Sequence, residues 1–381
     1  MDFAETAQEA KLRAEVREVL AAPAVTAALQ AVLGSPGEAD VRPLYRELGR
    51  HGLLAVSWPE AYGGRGARHT EAAAVIEELV HHGVPDMVHV LSIQIVGLFL
   101  LQAGSAEQQA ALLPALASGE RFATVLYTEP EVGSDLASLG TTATRQGDGW
   151  SLTGVKVWGL KSTMSDLALC AARTGDGSSR YDGISLFLVD LHADGVRRDQ
   201  IGSFADDQFD RVEFDGVRLG PETLLGAEGE GWALLNRCLA IERTGLDYSL
   251  KAARWFDAAL RGLDPGRVDG ALLEQVGRQS ALVDAGRLLA WEVLSGLDHD
   301  RVDAAAAAMS KYHTSETARD VATWAALTHG AGYAGHALSP TDARILESAY
   351  REAPGLTLSA GTSEIMLELI ANSSFHLHEG S

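Results

Sequence analysis

The apolar period changes twice along this chain. From residue 7 to 121, segments such as AQEAKLRAEVREVLAA, TEAAAVIEELVHHG and AEQQAALLPALASG place Ala, Leu and Val three and four residues apart, the spacing that gathers side chains on one face of an α-helix. From about 123 to 226 the runs GWSLTGVKVWGL, LALCAART, GISLFLVDL and DRVEFDGVRL are short, rich in β-branched and aromatic residues, and separated by Gly- and Asp-bearing turns. From EGEGWALLNRCLAIERTG onward the helical period returns and continues to SEIMLELIANSSF. The expected fold is therefore mostly α with a middle β-domain: a helical N-terminal domain (1–122), an antiparallel sheet domain (123–228) and a C-terminal helical bundle (229–381). That order of layers is uncommon.

Two stretches follow neither period. HGLLAVSWPEAYGGRGA (51–67) sets Pro59 and several glycines behind a short apolar run and reads as a loop folded against the helices. YTEPEVGSD (127–135) lies where helix gives way to strand. Pro130 removes a backbone donor, Gly133 permits a positive φ, and Ser134 and Asp135 offer turn hydrogen bonds, so the segment is built as a shaped loop.

Composition excludes several classes of partner. With 52 acidic against 31 basic residues the net charge is −21, which disfavours nucleic acid and anionic membrane surfaces. Cys170 and Cys238 lie in apolar contexts without metal-ligand spacing, so both read as buried thiols and no metal site is expected. No basic-then-apolar leader and no long uncharged apolar run occurs, which gives the expectation of a cytoplasmic protein without a membrane span.

Read in order, YTEPEVGSD, GVKVWGLKSTMSDLALCAAR, GEGWALLNRCLAIER, HGAGYAG and AGTSEIM resemble the acyl-CoA dehydrogenase family of flavoproteins, from the 51–67 loop to the C-terminus. The resemblance implies a helical N-terminal domain, a middle β-domain and a C-terminal four-helix bundle, with FAD bound between the last two and across a subunit boundary of a homodimer or homotetramer. It also implies α,β-dehydrogenation of an acyl thioester carried on CoA or on an acyl carrier protein. A carboxylate removes the α-proton, the β-hydrogen leaves as hydride, and the flavin is reoxidised by an electron-transfer flavoprotein or by oxygen. Because an α-proton is only weakly acidic, such a site needs a base and also hydrogen-bond donors at the thioester carbonyl.

Carried onto this chain, the resemblance assigns Tyr127 and Thr128 to the flavin, with Thr128 at its pyrimidine edge, and Ser134 to phosphate or pantetheine. Trp158 would stack beside the ring system. Leu160 stands where a threonine hydroxyl is usual, leaving only a backbone donor there. Gly330, with Gly332 and Tyr333, keeps part of a further cofactor motif, and Thr362 and Glu364 would face the adenine and ribose. Ala360 replaces the glutamate that precedes Gly-Thr-Ser in many members, so Ala360 and Gly361 retain only the backbone contact to the thioester carbonyl. Glu242, in CLAIERTG, matches the second placement of the base found in isovaleryl-type and long-chain-type members. Its apolar neighbours Leu239, Ala240 and Ile241 would raise its basicity by desolvation. Arg243, about 100° away on a helix, would serve the substrate side or a salt bridge.

Other positions depart from the family. Ala326 replaces a usual glutamine, and Arg261 is not followed by the usual Phe-Gly. Leu160, Ala326 and the altered Arg261 segment keep open a non-catalytic or half-catalytic subunit of a heteromer, and a flavin monooxygenase or oxidase on the same fold stands as a further alternative.

Overall fold

The computed structural model describes residues 4–35, 38–175, 178–330 and 338–375. The chain forms two compact units. One comprises Ala7–Ser203 and Asp207–Glu242; the other is built on the described residues of Arg243–Ser381, with Phe204–Asp206.

In the first unit the N-terminal helices are α1 (Ala7–Ala21), α2 (Pro23–Leu33), α3 (Arg42–Arg50) and α4 (His69–His81). A short turn α5 (Met87–His89) runs into a π-helical stretch, Val90–Gly97, and then α6 (Leu98–Ala103) and α7 (Ala106–Ala117). Local sequence sets the starts: Pro23 occupies the first turn of α2, and Ser105 and Gln108 form a reciprocal capping box on α7. The 51–67 segment packs Leu53, Leu54, Val56 and Trp58 into the helical core, and it also folds back on itself, with Arg65 and Ala67 both donating to Val56 and Gly66 to Trp58. Gly64 is required there, since a Cβ would lie 2.0 Å from the Trp58 carbonyl oxygen.

The strands are β1 (Ala123–Leu126), β2 (Thr142–Gln146), β3 (Gly149–Leu160), β4 (Leu167–Arg173), β5 (Ile184–Asp190), β6 (Val196–Ile201), β7 (Phe209–Leu219) and β8 (Leu224–Leu225). They form one sheet in the order β6-β7-β3-β2-β4-β5-β8, with β1 beside β4. Pairing is antiparallel except where β1 and one residue of β2 run parallel to β4. Alternation along the central strands divides two cores. Leu167, Leu169, Ala171, Ile184, Leu186 and Leu188 join the helical core, whereas Ala168, Cys170, Phe187 and Val189 pack on the opposite face with Trp150, Leu152 and Phe214. Burial on both faces explains why β4 and β5 read as continuous apolar runs. Helix α8 (Gly231–Glu242) completes this unit, and its Leu234, Leu235 and Cys238 enter the helical core. Both cysteines are buried and neither is in a disulfide, and burial pushes the Cys170 thiol up to about 11.

The second unit contains α9 (Leu246–Arg261), α10 (Gly270–Leu297), α11 (Ala304–His329), α12 (Pro340–Leu356) and α13 (Ser363–Phe375). Asp269, Asp303 and Ser339 cap α10, α11 and α12 by accepting from backbone N–H groups in the first turn. Its core is formed by Tyr248, Trp255, Phe256, Val321, Trp324 and Leu346. Among the described residues no single helix is long and apolar enough to cross a membrane.

Candidate functional site

The 127–135 loop begins where β1 ends. Glu129 and Val132 exchange backbone hydrogen bonds of 2.8 and 3.1 Å around Pro130, and the Thr128 carbonyl accepts from Val157 of β3 at 2.9 Å. The anchor beneath this loop is Lys156, which is fully buried. Its Nζ donates to the Tyr127 carbonyl at 3.1 Å and to the Glu129 carboxylate at 2.8 Å. The same carboxylate accepts from the backbone N–H groups of Gly140 and Thr141. Burial works against the Glu129 charge, but Lys156 and these donors outweigh it and hold the carboxyl below its usual range.

Gly133 does not use the positive φ that glycine permits. It is not among the residues with positive φ, and a Cβ there would meet nothing within 4 Å. The turn is made by Pro130 and the Glu129–Val132 pair, so the backbone does not require glycine at 133. What glycine leaves is open space over the loop. Ser134 is exposed beside it, and Asp135 is ion-paired to Arg180 at 2.9 Å.

Trp158 sits on a bulge in β3. The register with β7 passes from Lys156↔Val212 to Gly159↔Asp210, so one extra residue is accommodated in β3. Trp158 takes φ 60 and is 53% exposed, its ring centre 5.9 Å from that of Phe209 in an edge-to-face arrangement. A left-handed backbone costs a non-glycine residue about 1–2 kcal/mol, and here it turns a large aromatic face outward from the sheet. Leu160, two residues on, is half-buried in the ladder opposite Phe209, and its carbonyl accepts from the Thr124 hydroxyl at 2.7 Å. The first unit thus gathers Tyr127, Thr128 and Trp158 on adjoining backbone, with Ser134 farther along the loop. Glu242 is the last residue of α8, and its side chain lies outside the described residues.

The second unit holds the other candidates. The segment joining α12 to α13 carries Ala360 at φ 52 and Gly361 at φ 94. Arg243 Nε donates to the Ala360 carbonyl at 3.1 Å, and the Tyr248 hydroxyl lies 3.0 Å from Ser359 Oγ. Lys311, fully buried on α11, donates to the Gly361 carbonyl at 2.7 Å and to that of Leu356 at 3.3 Å. Thr362 opens α13, its hydroxyl accepting from Ile365 N–H at 3.3 Å. Glu364 is exposed in the first turn, where a backbone N–H and Thr362 hold its carboxyl below the usual range. Gly330 ends α11 at φ 52; Gly332 and Tyr333 lie outside the described residues. Arg261 is engaged by Asp342 through bonds of 2.7 and 3.1 Å.

Three positions went unmarked in the sequence: Glu129, Lys156 and Lys311. Period was the available signal. Lys156 falls on the same β3 face as Trp150 and Leu152, and Lys311 has Ala307, Ala308, Thr314 and Ser315 as its three- and four-residue neighbours, all buried.

The residues present suit a planar, anionic cofactor. In the first unit an outward aromatic face and a polar loop with an uncrowded glycine supply stacking and close approach for a planar group; in the second, taken by itself, the N-terminus of α13 supplies donor groups for an anion.

Family models described as acyl-CoA dehydrogenase N-terminal, middle and C-terminal domains match residues 6–120, 124–217 and 229–375. The chain is 30% identical to "Acyl-CoA dehydrogenase FadE29" of Mycobacterium tuberculosis over 97% of its own length and 96% of that protein. It is 35% identical to "Acyl-CoA dehydrogenase IpdE1" of the same organism over 55% of its own length, spanning little more than half, 56%, of that relative. Among solved structures it is similar to "Tcur3481-Tcur3483 steroid ACAD", with TM-score 0.88, 27% identity and 99% of each chain covered.

Proposed function

The chain belongs to the acyl-CoA dehydrogenase family, and from that premise we propose that it is an FAD-dependent enzyme that introduces an α,β double bond into an acyl thioester. The observation that carries this reading is Trp158, a tryptophan held at φ 60 on a bulge with its ring turned out of the sheet. An exposed aromatic in a strained backbone has no folding advantage, and a ring system to stack against supplies one.

Tyr127, Thr128, Trp158 and Leu160 would hold the flavin ring, while Gly330, Thr362 and Glu364 would hold its adenosine part. FAD, when bound, supplies the acceptor for the two electrons that leave the substrate. The chain's own residues do the rest. Glu242 accepts the α-proton, the backbone N–H at Ala360 and Gly361 receives the thioester carbonyl oxygen, Arg243 fixes the loop that presents it, and Ser134 meets the carrier. The carrier is CoA or an acyl carrier protein, and reoxidation is by an electron-transfer flavoprotein or by oxygen.

The decisive variant is Glu242→Gln. Reduction of bound flavin by an acyl thioester should fall by about 10² to 10⁴ with flavin content unchanged; undiminished reduction refutes the base. Steroid-derived and straight-chain thioesters belong in the same panel, since one relative is described as a steroid enzyme.

A second reading, a half-catalytic subunit of a heteromer, is favoured by Arg261, whose guanidinium is occupied by Asp342 within its own unit. The name of the structural relative also joins two designations. Flavin retained at about one per chain by the protein purified alone supports the first reading, and flavin acquired only with a second gene product supports the other.

A further inference from the structure

We propose that Lys311 is a positioning residue for the segment joining α12 to α13, holding the Ala360 peptide in the conformation that presents its N–H to a thioester carbonyl. The inference deepens the function proposed above and rests on it for the nature of the ligand. Three consecutive residues of the segment are each fixed by a different group: Ser359 by Tyr248, Ala360 by Arg243 and Gly361 by Lys311. The ammonium also reaches Leu356 at the end of α12 and lies 5.5 Å from the centre of the Tyr248 ring.

These contacts maintain a conformation that alanine does not hold unaided. Ala360 lies at φ 52, in the left-handed region that a residue with a Cβ rarely adopts, so releasing its neighbours lets the peptide leave that basin. Gly361 gives no independent stiffness, because glycine populates positive φ freely. A cation donating to a carbonyl makes a hydrogen bond about twice as strong as a neutral donor, which suits Lys311 and Arg243 to this task. With alanine at 360 the polarising contact is backbone alone, and its direction depends wholly on the anchors.

The charged groups around Lys311 are Asp247 on α9, Arg243 just before it, Glu316 on α11 and Glu364 on α13, with the Tyr248 ring alongside. Burial, together with the like charge of Arg243, outweighs the three carboxylates and brings the ammonium down to about 8. Loss of its proton in mildly alkaline solution leaves a neutral donor and a weaker clamp.

The test is amide hydrogen exchange across residues 357–362 of the full chain, corrected for intrinsic rates, in wild type and Lys311→Met at pH 7 and pH 9. The variant should exchange this segment ~10-fold faster at pH 7, the change expected on losing one charge-assisted hydrogen bond, while the α9 and α11 cores keep their protection. Wild type should lose protection in the same segment between pH 7 and 9. Turnover of a thioester should fall through kcat more than through KM. Equal protection in the variant, or wild-type protection that stays flat from pH 7 to 9, overturns the proposal; should Lys311→Met fail to fold, the wild-type pH series alone decides. If wild type reduces no flavin with any thioester, the enzymatic reading fails while the exchange result still stands.

Discussion

Lys156 Nζ stands 2.8 Å from the Glu129 carboxylate, and this pair ties the 127–135 loop to β3 from below. Removing one partner of a buried pair leaves the other charge without compensation. Lys156→Met should therefore lower stability by about 3–5 kcal/mol in urea unfolding, and adding Glu129→Gln should recover part of that loss. A full-sized cost in the double variant would mean that the loss comes from packing.

The pH dependence has a definite sign. Glu129 and Asp166 are held below the ordinary carboxylate range: burial opposes their charge, and Lys156 with the Gly140 and Thr141 groups, or Phe122 N–H with Arg42, outweighs it. A depressed folded value adds stability above the unfolded pKa, about 3.9–4.3, that is lost as pH falls through the folded value. The melting temperature should be flat from pH 6 to 5 with respect to these groups and decline below about 4. Glu129→Gln should flatten part of that decline.

Trp158 separates stability from cofactor binding. The residue is about half exposed and lies edge-to-face with Phe209. Trp158→Ala should change unfolding free energy by less than about 1 kcal/mol. Flavin affinity, followed by fluorescence titration, should drop by about 0.5–1.5 kcal/mol, equivalent to roughly two- to twelvefold. Unaltered affinity would remove Trp158 from the cofactor site.

Two glycines predict opposite outcomes. At Gly97 a Cβ would lie 2.0 Å from Cζ2 of the buried Trp58, so Gly97→Ala should destabilise by about 1–3 kcal/mol. At Gly133 a Cβ meets nothing within 4 Å, and Gly133→Ala should leave the melting temperature essentially unchanged. If the loop backbone is approached closely by a ligand, the same substitution should weaken flavin or thioester binding, which titration measures.

The layered order was legible because period is a property of many residues at once: the helices before 122, the strands of the sheet and the later helices all follow from spacing. The parallel partner of β1 was not, since pairing between distant strands leaves no trace in either strand's own pattern. The conformation of the 127–135 loop was half legible. Pro130 marked the turn, but residue type shows only that Gly133 permits a positive φ, and a glycine can be present for the space it leaves. The buried lysines were misjudged by omission because lysine is almost always a surface residue. Only the neighbours three and four residues along α11, or the alternation that sets Trp150 and Leu152 on one face of β3, disclose that these two face inward.

The parallel alignment of β1 with β4 bears on how the chain reaches its native state. The hairpins β2–β3 and β4–β5 can close locally, whereas β1 must wait for a partner that lies beyond the whole of the first hairpin. Closing that longer loop costs more entropy than closing either hairpin, so docking of the first strand, together with the Ser92 hydroxyl that brackets Ala123, is expected late in assembly. The loop that follows β1 takes its shape only after the scaffold beneath it exists.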